Sequence, residues 1–314
     1  MKKSLGLVFI VFILFLSSCQ SPDVFEPVVN QNAGQVYSQS TVIGEPGSGN
    51  GQLSQPTFVH SEEGFIYVMD SLNGRIVKFD LSGKFVKNII LTMAKTWYPF
   101  SFAFGSNGNL FALNLSTYRL YEYSKAGSLI QDHGIIDPGA GKFRVGFDLR
   151  NFKADKYGHL YAIDGMGWIN KHNLNGNFLV KIGSYGSGNG QFLNPSDLVC
   201  DDSGILYVID ANRADVQVFD TNGNFIRKWG GSGVLSVPIA ITIDNAGYLY
   251  IVDSLEEKVK KFRPDGEFIT HWNIPQGTSK TTIRTLKGIS IDENFNVYVS
   301  DGDYNIVYVF SAKQ

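Results

Sequence analysis

One heptad-length pattern recurs six times, and it dictates what the chain can fold into. A turn residue opens it, an apolar strand with a central aromatic follows, and an acid or amide closes it. The copies are GFIYVMD (Gly64–Asp70), GNLFALN (Gly108–Asn114), GHLYAID (Gly158–Asp164), GILYVID (Gly204–Asp210), GYLYIVD (Gly247–Asp253) and FNVYVSD (Phe295–Asp301). Successive copies start 44, 50, 46, 43 and 48 residues apart. A period of this size marks an array of supersecondary units. Each copy accommodates four short strands. In the fourth they are expected over 196–201, 205–210, 216–220 and 225–229, separated by DSG, ANR and TNG turns. A four-stranded antiparallel sheet of this length cannot bury both faces alone, whereas six stacked radially cover one another. The expected fold is therefore all-β, a six-bladed β-propeller of four-stranded antiparallel blades over residues 36–314. No stretch after residue 19 has a helical period.

The 34 glycines and 42 aromatic residues fit short strands and tight turns. Closure is also legible. The sixth copy has no room for a fourth strand before Gln314, while Val36–Gly44 precedes the first copy and ends like an outer strand. The N-terminal segment is thus expected to close the ring by supplying the outer strand of the last blade.

The start of the chain reads as an address. Lys2 and Lys3 precede an apolar run, Leu5–Leu16, too short for a comfortable membrane span. It ends in Leu16-Ser17-Ser18-Cys19, which resembles a bacterial lipobox with Cys19 as the lipidated residue. A lipid bilayer, held through acylated Cys19, is then one partner. Several acyl chains anchor stably where one is marginal. The expected location is the cell envelope, and Gln20 after the Cys implies the outer membrane in a double-membraned bacterium. Residues 20–35 read as a flexible tether of at most ~55 Å. Removing residues 1–18 leaves 25 basic against 29 acidic residues, a net charge of −4. That balance gives no reason to expect nucleic acid, and two cysteines exclude a disulfide framework or a multi-Cys zinc module.

The loops Gly47–Pro56 (GSGNGQLSQP) and Gly186–Pro195 (GSGNGQFLNP) resemble the inter-repeat signature of NHL-repeat proteins. The Asp70–Arg75 and Asn114–Arg119 stretches are similar to that family's turn between second and third strands. The resemblance covers about residues 36–314 and implies the same propeller. Copies one, four and five match best. Copy two has Asn114 for Asp, copy three is a residue short after Asp164, and copy six replaces the glycine-rich loop with Lys280–Lys287.

Several motifs have structural readings. Neither glycine-rich loop is followed by Lys-Ser/Thr opening a helix, so they are turns, not phosphate cradles. The recurrent Asp is expected to cap turn amides two residues on. Of five histidines only His60 lies in a first strand, so histidine ligands cannot converge on the channel. Asn151 and Asp197 occupy matching places and Ser101 a third, a weak calcium alternative where six to eight oxygens are wanted. Cys200 reads as a small core residue. No cofactor is implied.

Departures from the repeat mark the candidate ligand site. On the face carrying the second-to-third-strand turns and blade-to-blade loops they are aromatic and basic: Trp97, Tyr98, Arg119, Arg150, Trp168 and Tyr185, with Tyr118, Arg213, Lys287 and Tyr304 nearby. Such residues suit a glycan, peptide or protein partner. The expected function is a membrane-anchored, non-enzymatic binding scaffold. The alternative is a propeller hydrolase or lyase, lactonase-like or amidating-lyase-like, with a channel metal. Ligase and RNA-binding roles known among animal NHL proteins need a Cys-rich module or a basic face that this chain lacks.

Overall fold

The computed structural model describes residues 36–91, 100–115, 117–136, 149–164, 167–275 and 285–313. Cys19, the tether, Trp97 and Tyr98 lie outside the described residues. Every described element is a strand, and the strands form six four-stranded antiparallel sheets. Five sheets follow chain order from inner to outer strand. In blade 1, Pro56–Glu62, Phe65–Asp70, Arg75–Asp80 and Phe85–Ile90 pair in succession. The fourth blade is built from Pro195–Cys200, Leu206–Asp210, Asp215–Phe219 and Phe225–Gly230, within a residue or so of the sequence expectation.

Blade 6 is the exception that closes the ring. Leu286–Ile291, Val297–Asp301 and Ile306–Ala312 come from the C-terminal end, and the outer strand is Tyr37–Ile43. It runs antiparallel to the third strand, Tyr37 opposite Ala312 and Ile43 opposite Val307, with a bulge between Gln39 and Thr41. Antiparallel order puts first-to-second and third-to-fourth turns on one face of the ring. The second-to-third turns and the blade-to-blade loops lie on the other, called here the loop face. Tyr37 begins an outer strand, so the chain enters the ring from the face opposite the loop face.

The second and third strands are buried on both sides, which is why they read as continuous apolar runs; Leu249–Asp253 and Asp215–Phe219 are buried throughout. The joints between blades share one device. A residue near the end of each outer strand lies over the glycine of the next blade's third-to-fourth turn. A Cβ added at Gly83 would come within 3.0 Å of Ile43, at Gly127 within 3.0 Å of Ile89, at Gly223 within 2.8 Å of Ile182 and at Gly266 within 2.4 Å of Trp229. The joint of blades 5 and 6 has no such turn, because the two chain ends meet there. Tyr37 takes the glycine's place. Its ring stacks on Trp272 at 4.2 Å and 17°, and its hydroxyl lies 3.1 Å from that of Tyr250.

Candidate functional site

The recurrent carboxylates are fasteners. Asp210 Oδ1 accepts from the amides of Asn212 and Arg213, as expected of a turn cap. It also accepts from the amide of Asn194, and Oδ2 from that of Leu193, so one side chain holds its own turn and the incoming loop. Asp253 does the same for Ser236 and Val237. In blade 1, Asp70 binds the Ser54 amide and the Arg75 Nε at 2.8 Å. The Arg75 guanidinium in turn donates to the carbonyls of Gly49 and Gln52. Arg213 clamps Gly188 and Gln191 in the same way. Arg213 is therefore a loop clamp, with no guanidinium N–H to spare on the side facing the loop.

A second carboxylate series sits on the opposite face. Asp155, Asp201, Asp244 and Asp292 directly follow first strands, cap the turn that comes next and accept from a tyrosine hydroxyl: Tyr161, Tyr207, Tyr250 and Tyr298. Sequence reasoning missed this series, although each Tyr follows its Asp by six residues. Blade 2 has Gly105 and Phe111 at these places, and a carboxylate from the third strand fills in. Glu122 accepts from Asn107, Asn109 and His133. Burial raises the Glu122 pKa, but these three donors outweigh it and hold the carboxyl below the usual range.

The structure joins the three channel residues that the calcium alternative named. Ser101 donates to Asn151 Oδ1 at 3.1 Å, and Asn151 Nδ2 donates to Asp197 Oδ1 at 2.7 Å. Asp197 also accepts from the amides of Leu198 and Ile241, and Lys153 Nζ lies 3.2 Å from Oδ1. Burial pushes the Asp197 carboxyl up, against the pull of Lys153. The chain thus crosses blades 2, 3, 4 and 5, and a cation at Asp197 competes with an ammonium already in place. Among the described residues, no three His, Cys, Asp or Glu side chains converge as a metal cluster. Burial raises the Cys200 thiol to about 12, which leaves it a poor nucleophile.

The remaining candidates divide. Arg119 starts the third strand of blade 2 and makes a bidentate pair with Asp132, Nη2 to Oδ2 at 2.7 Å, on a half-exposed surface. Arg150 belongs to the inner strand of blade 3. The glycine before Trp168 reaches the loop of Tyr185. Gly167, at φ 89°, is seated so close that an added Cβ would lie 3.1 Å from Tyr185 Cα. Trp168 faces Asp164 in register, the place that Arg75 occupies opposite Asp70. Its indole N–H donates to Asp164 Oδ2 at 2.9 Å, and Lys181 Nζ sits 3.2 Å over its ring. The shortened turn of copy three thus has a folding role that the sequence did not show: the indole replaces a guanidinium as the donor to the fastening carboxylate. Tyr185, by contrast, is 62% exposed.

No known family profile matches the chain in sequence, and no curated protein matches it. Solved structures match its fold. A streptogramin B lyase superposes with a TM-score of 0.60 at 13% identity, over 89% of this chain and 98% of that one. Virginiamycin B lyase from Staphylococcus aureus gives 0.59 at 12% identity, over 88% and 99%. A structural genomics protein of unknown function from Bacteroides thetaiotaomicron gives 0.68 at 14% identity, over 89% and 76%. At these identities the likeness establishes the propeller fold.

Proposed function

We propose that this protein is an NHL-type propeller lipoprotein of the bacterial envelope, anchored through Cys19, that binds a partner on its loop face and has no enzymatic activity. The observation that carries the reading is an internal control. The loops 44–55 and 183–194 are duplicates. Gly47 N to Leu53 O and Gly186 N to Phe192 O are both 3.0 Å, and Pro46 pairs with Leu53 as Tyr185 pairs with Phe192. The fold of the loop is therefore satisfied by an exposed proline in one copy. In the other copy it carries an exposed tyrosine that the loop does not need. Outside the outer strands and Val36, the exposed large apolar residues Leu72, Tyr185, Val234 and Leu255 are on the loop face, against Tyr157 on the other.

The alternative, a lyase with a channel metal, has the likeness to two lyases in its favour. Its carboxylate, Asp197, already receives four donors. The test is photocrosslinking in the native envelope from residues on each face. Partner capture should be lost with Arg119→Ala and Tyr185→Pro and kept with Tyr157→Ala, and Cys19→Ser should move the protein to the soluble fraction. Capture that depends on Tyr157 and ignores the loop-face changes refutes the assignment of the face.

A further inference from the structure

We infer that the loop face at the junction of blades 3 and 4 is a saccharide-binding platform, on which a sugar ring stacks against Tyr185; the inference rests on the loop-face binding reading and names its ligand class. A ring that binds by stacking must be exposed, and its surroundings must be fixed. Tyr185 is exposed while its backbone is not free to move. The loop is closed by the Gly186 amide on the Phe192 carbonyl, at 3.0 Å, and by the Phe192 amide on the Ser184 carbonyl, at 2.7 Å. Arg213 fastens it from blade 4 and the Gly167 turn abuts it from blade 3. One residue on from Gly167, the Trp168 ring is held by Asp164 on its N–H and by Lys181 over one face. Immobilised aromatics lose little entropy on binding.

The surroundings decide between ligand classes. A peptide anchored by apolar side chains wants a contiguous apolar pocket. Here the exposed side chains flanking Tyr185 in its own loop are Ser187 and Asn189, and the adjoining blade 4 turn adds exposed Asn212, which accepts from Asn194 Nδ2 at 3.1 Å. Neutral hydroxyls and amides around a flat aromatic match a ligand that presents C–H groups on one side and hydroxyls at its rim. The exposed ammonium of Lys181 beside Trp168 accommodates either a neutral sugar or one carrying a carboxylate. The chemistry common to both is the stacked ring.

The experiment screens the folded protein, residues 20–314, on an array of neutral, uronic and sulfated oligosaccharides, then titrates the strongest array hit by calorimetry. Tyr185→Pro places the blade 1 residue in the duplicate loop, so the fold is expected to be retained, with an unchanged melting temperature. It should weaken the array hit by roughly tenfold or more, the effect expected of a central aromatic anchor. Lys181→Gln assigns the sugar type: a loss confined to uronic or sulfated hits marks an anionic saccharide, and no change marks a neutral one. The proposal is overturned if no oligosaccharide binds, or if Tyr185→Pro binds the hit as tightly as the parent. In either case, envelope crosslinking that still depends on Tyr185 keeps the loop-face reading and makes the ligand a peptide or protein. Loss of that dependence too removes both.

Discussion

At the scale of single residues, this fold is held by carboxylates whose oxygens are fully used. Asp70 is buried beneath the Arg75 guanidinium, itself buried. Removing one member of such a pair strands the other without solvent, at about 3–5 kcal/mol. Asp70→Ala is therefore expected to lower stability by that order in denaturant titration and to loosen the loop 47–52 that Arg75 clamps. Asp70→Asn, which retains an acceptor and has a natural precedent in Asn114, should cost less. Glu122 gives the pH counterpart. Its folded pKa lies below the unfolded value because Asn109, His133 and Asn107 outweigh its burial. Its contribution is thus present above the unfolded carboxyl pKa of about 4.3. It is lost as pH falls through the folded value. Glu122→Gln should flatten that acid limb, and a wild-type acid limb retained unchanged in the variant would assign it to other carboxylates.

At the scale of elements, glycines with similar φ do different jobs. Gly64 has φ 74° and open space where a Cβ would stand. Gly223 has φ 84°, and an added Cβ would press on Ile182 at 2.8 Å. Gly64→Ala should cost the left-handed backbone penalty alone, about 1–2 kcal/mol. Gly223→Ala adds overpacking of about 1–3 kcal/mol at a blade joint. Equal losses in the two variants would show that the joint glycines are not contact sites. This difference marks what was legible beforehand. Turn positions, strand order and the six-fold period were readable because the local pattern repeats in one copy after another. The fastening reach of Asp210 back to residues 193 and 194, and the indole of Trp168 standing in for a guanidinium, were not, since both depend on which loops the ring brings together. Tyr185 was recognisable as a departure from the repeat. That its loop repeats the internal main-chain hydrogen bonds of 44–55 appears only in three dimensions.

At the scale of the whole molecule, five joints are alike and the sixth carries the closure. The outer strand Tyr37–Ile43 is buried at its two ends and exposed from Gln39 to Val42. It is therefore pinned at two points. Ile43 sits over Gly83 at the blade 6–1 joint, and Tyr37 fills the blade 5–6 joint against Trp272 and Tyr250. Burial pushes the Tyr37 hydroxyl up to about 12, so it stays protonated and paired throughout the physiological range. Truncating a buried aromatic typically costs about 3–5 kcal/mol, and here the loss falls on the strand that keeps both ends of the ring together. Tyr37→Ala should lower the melting temperature of the entire propeller in one cooperative transition, and deletion of residues 36–44 should do so more severely by exposing the edge of Ile306–Ala312. Gln39→Ala, in the exposed middle of the same strand, should change stability by no more than about 0.5 kcal/mol. Calorimetry with hydrogen exchange separates the outcomes. A Tyr37→Ala protein that melts with the parent, or one in which blade 6 alone loses protection while the other five keep theirs, would show that the ring does not depend on its latch.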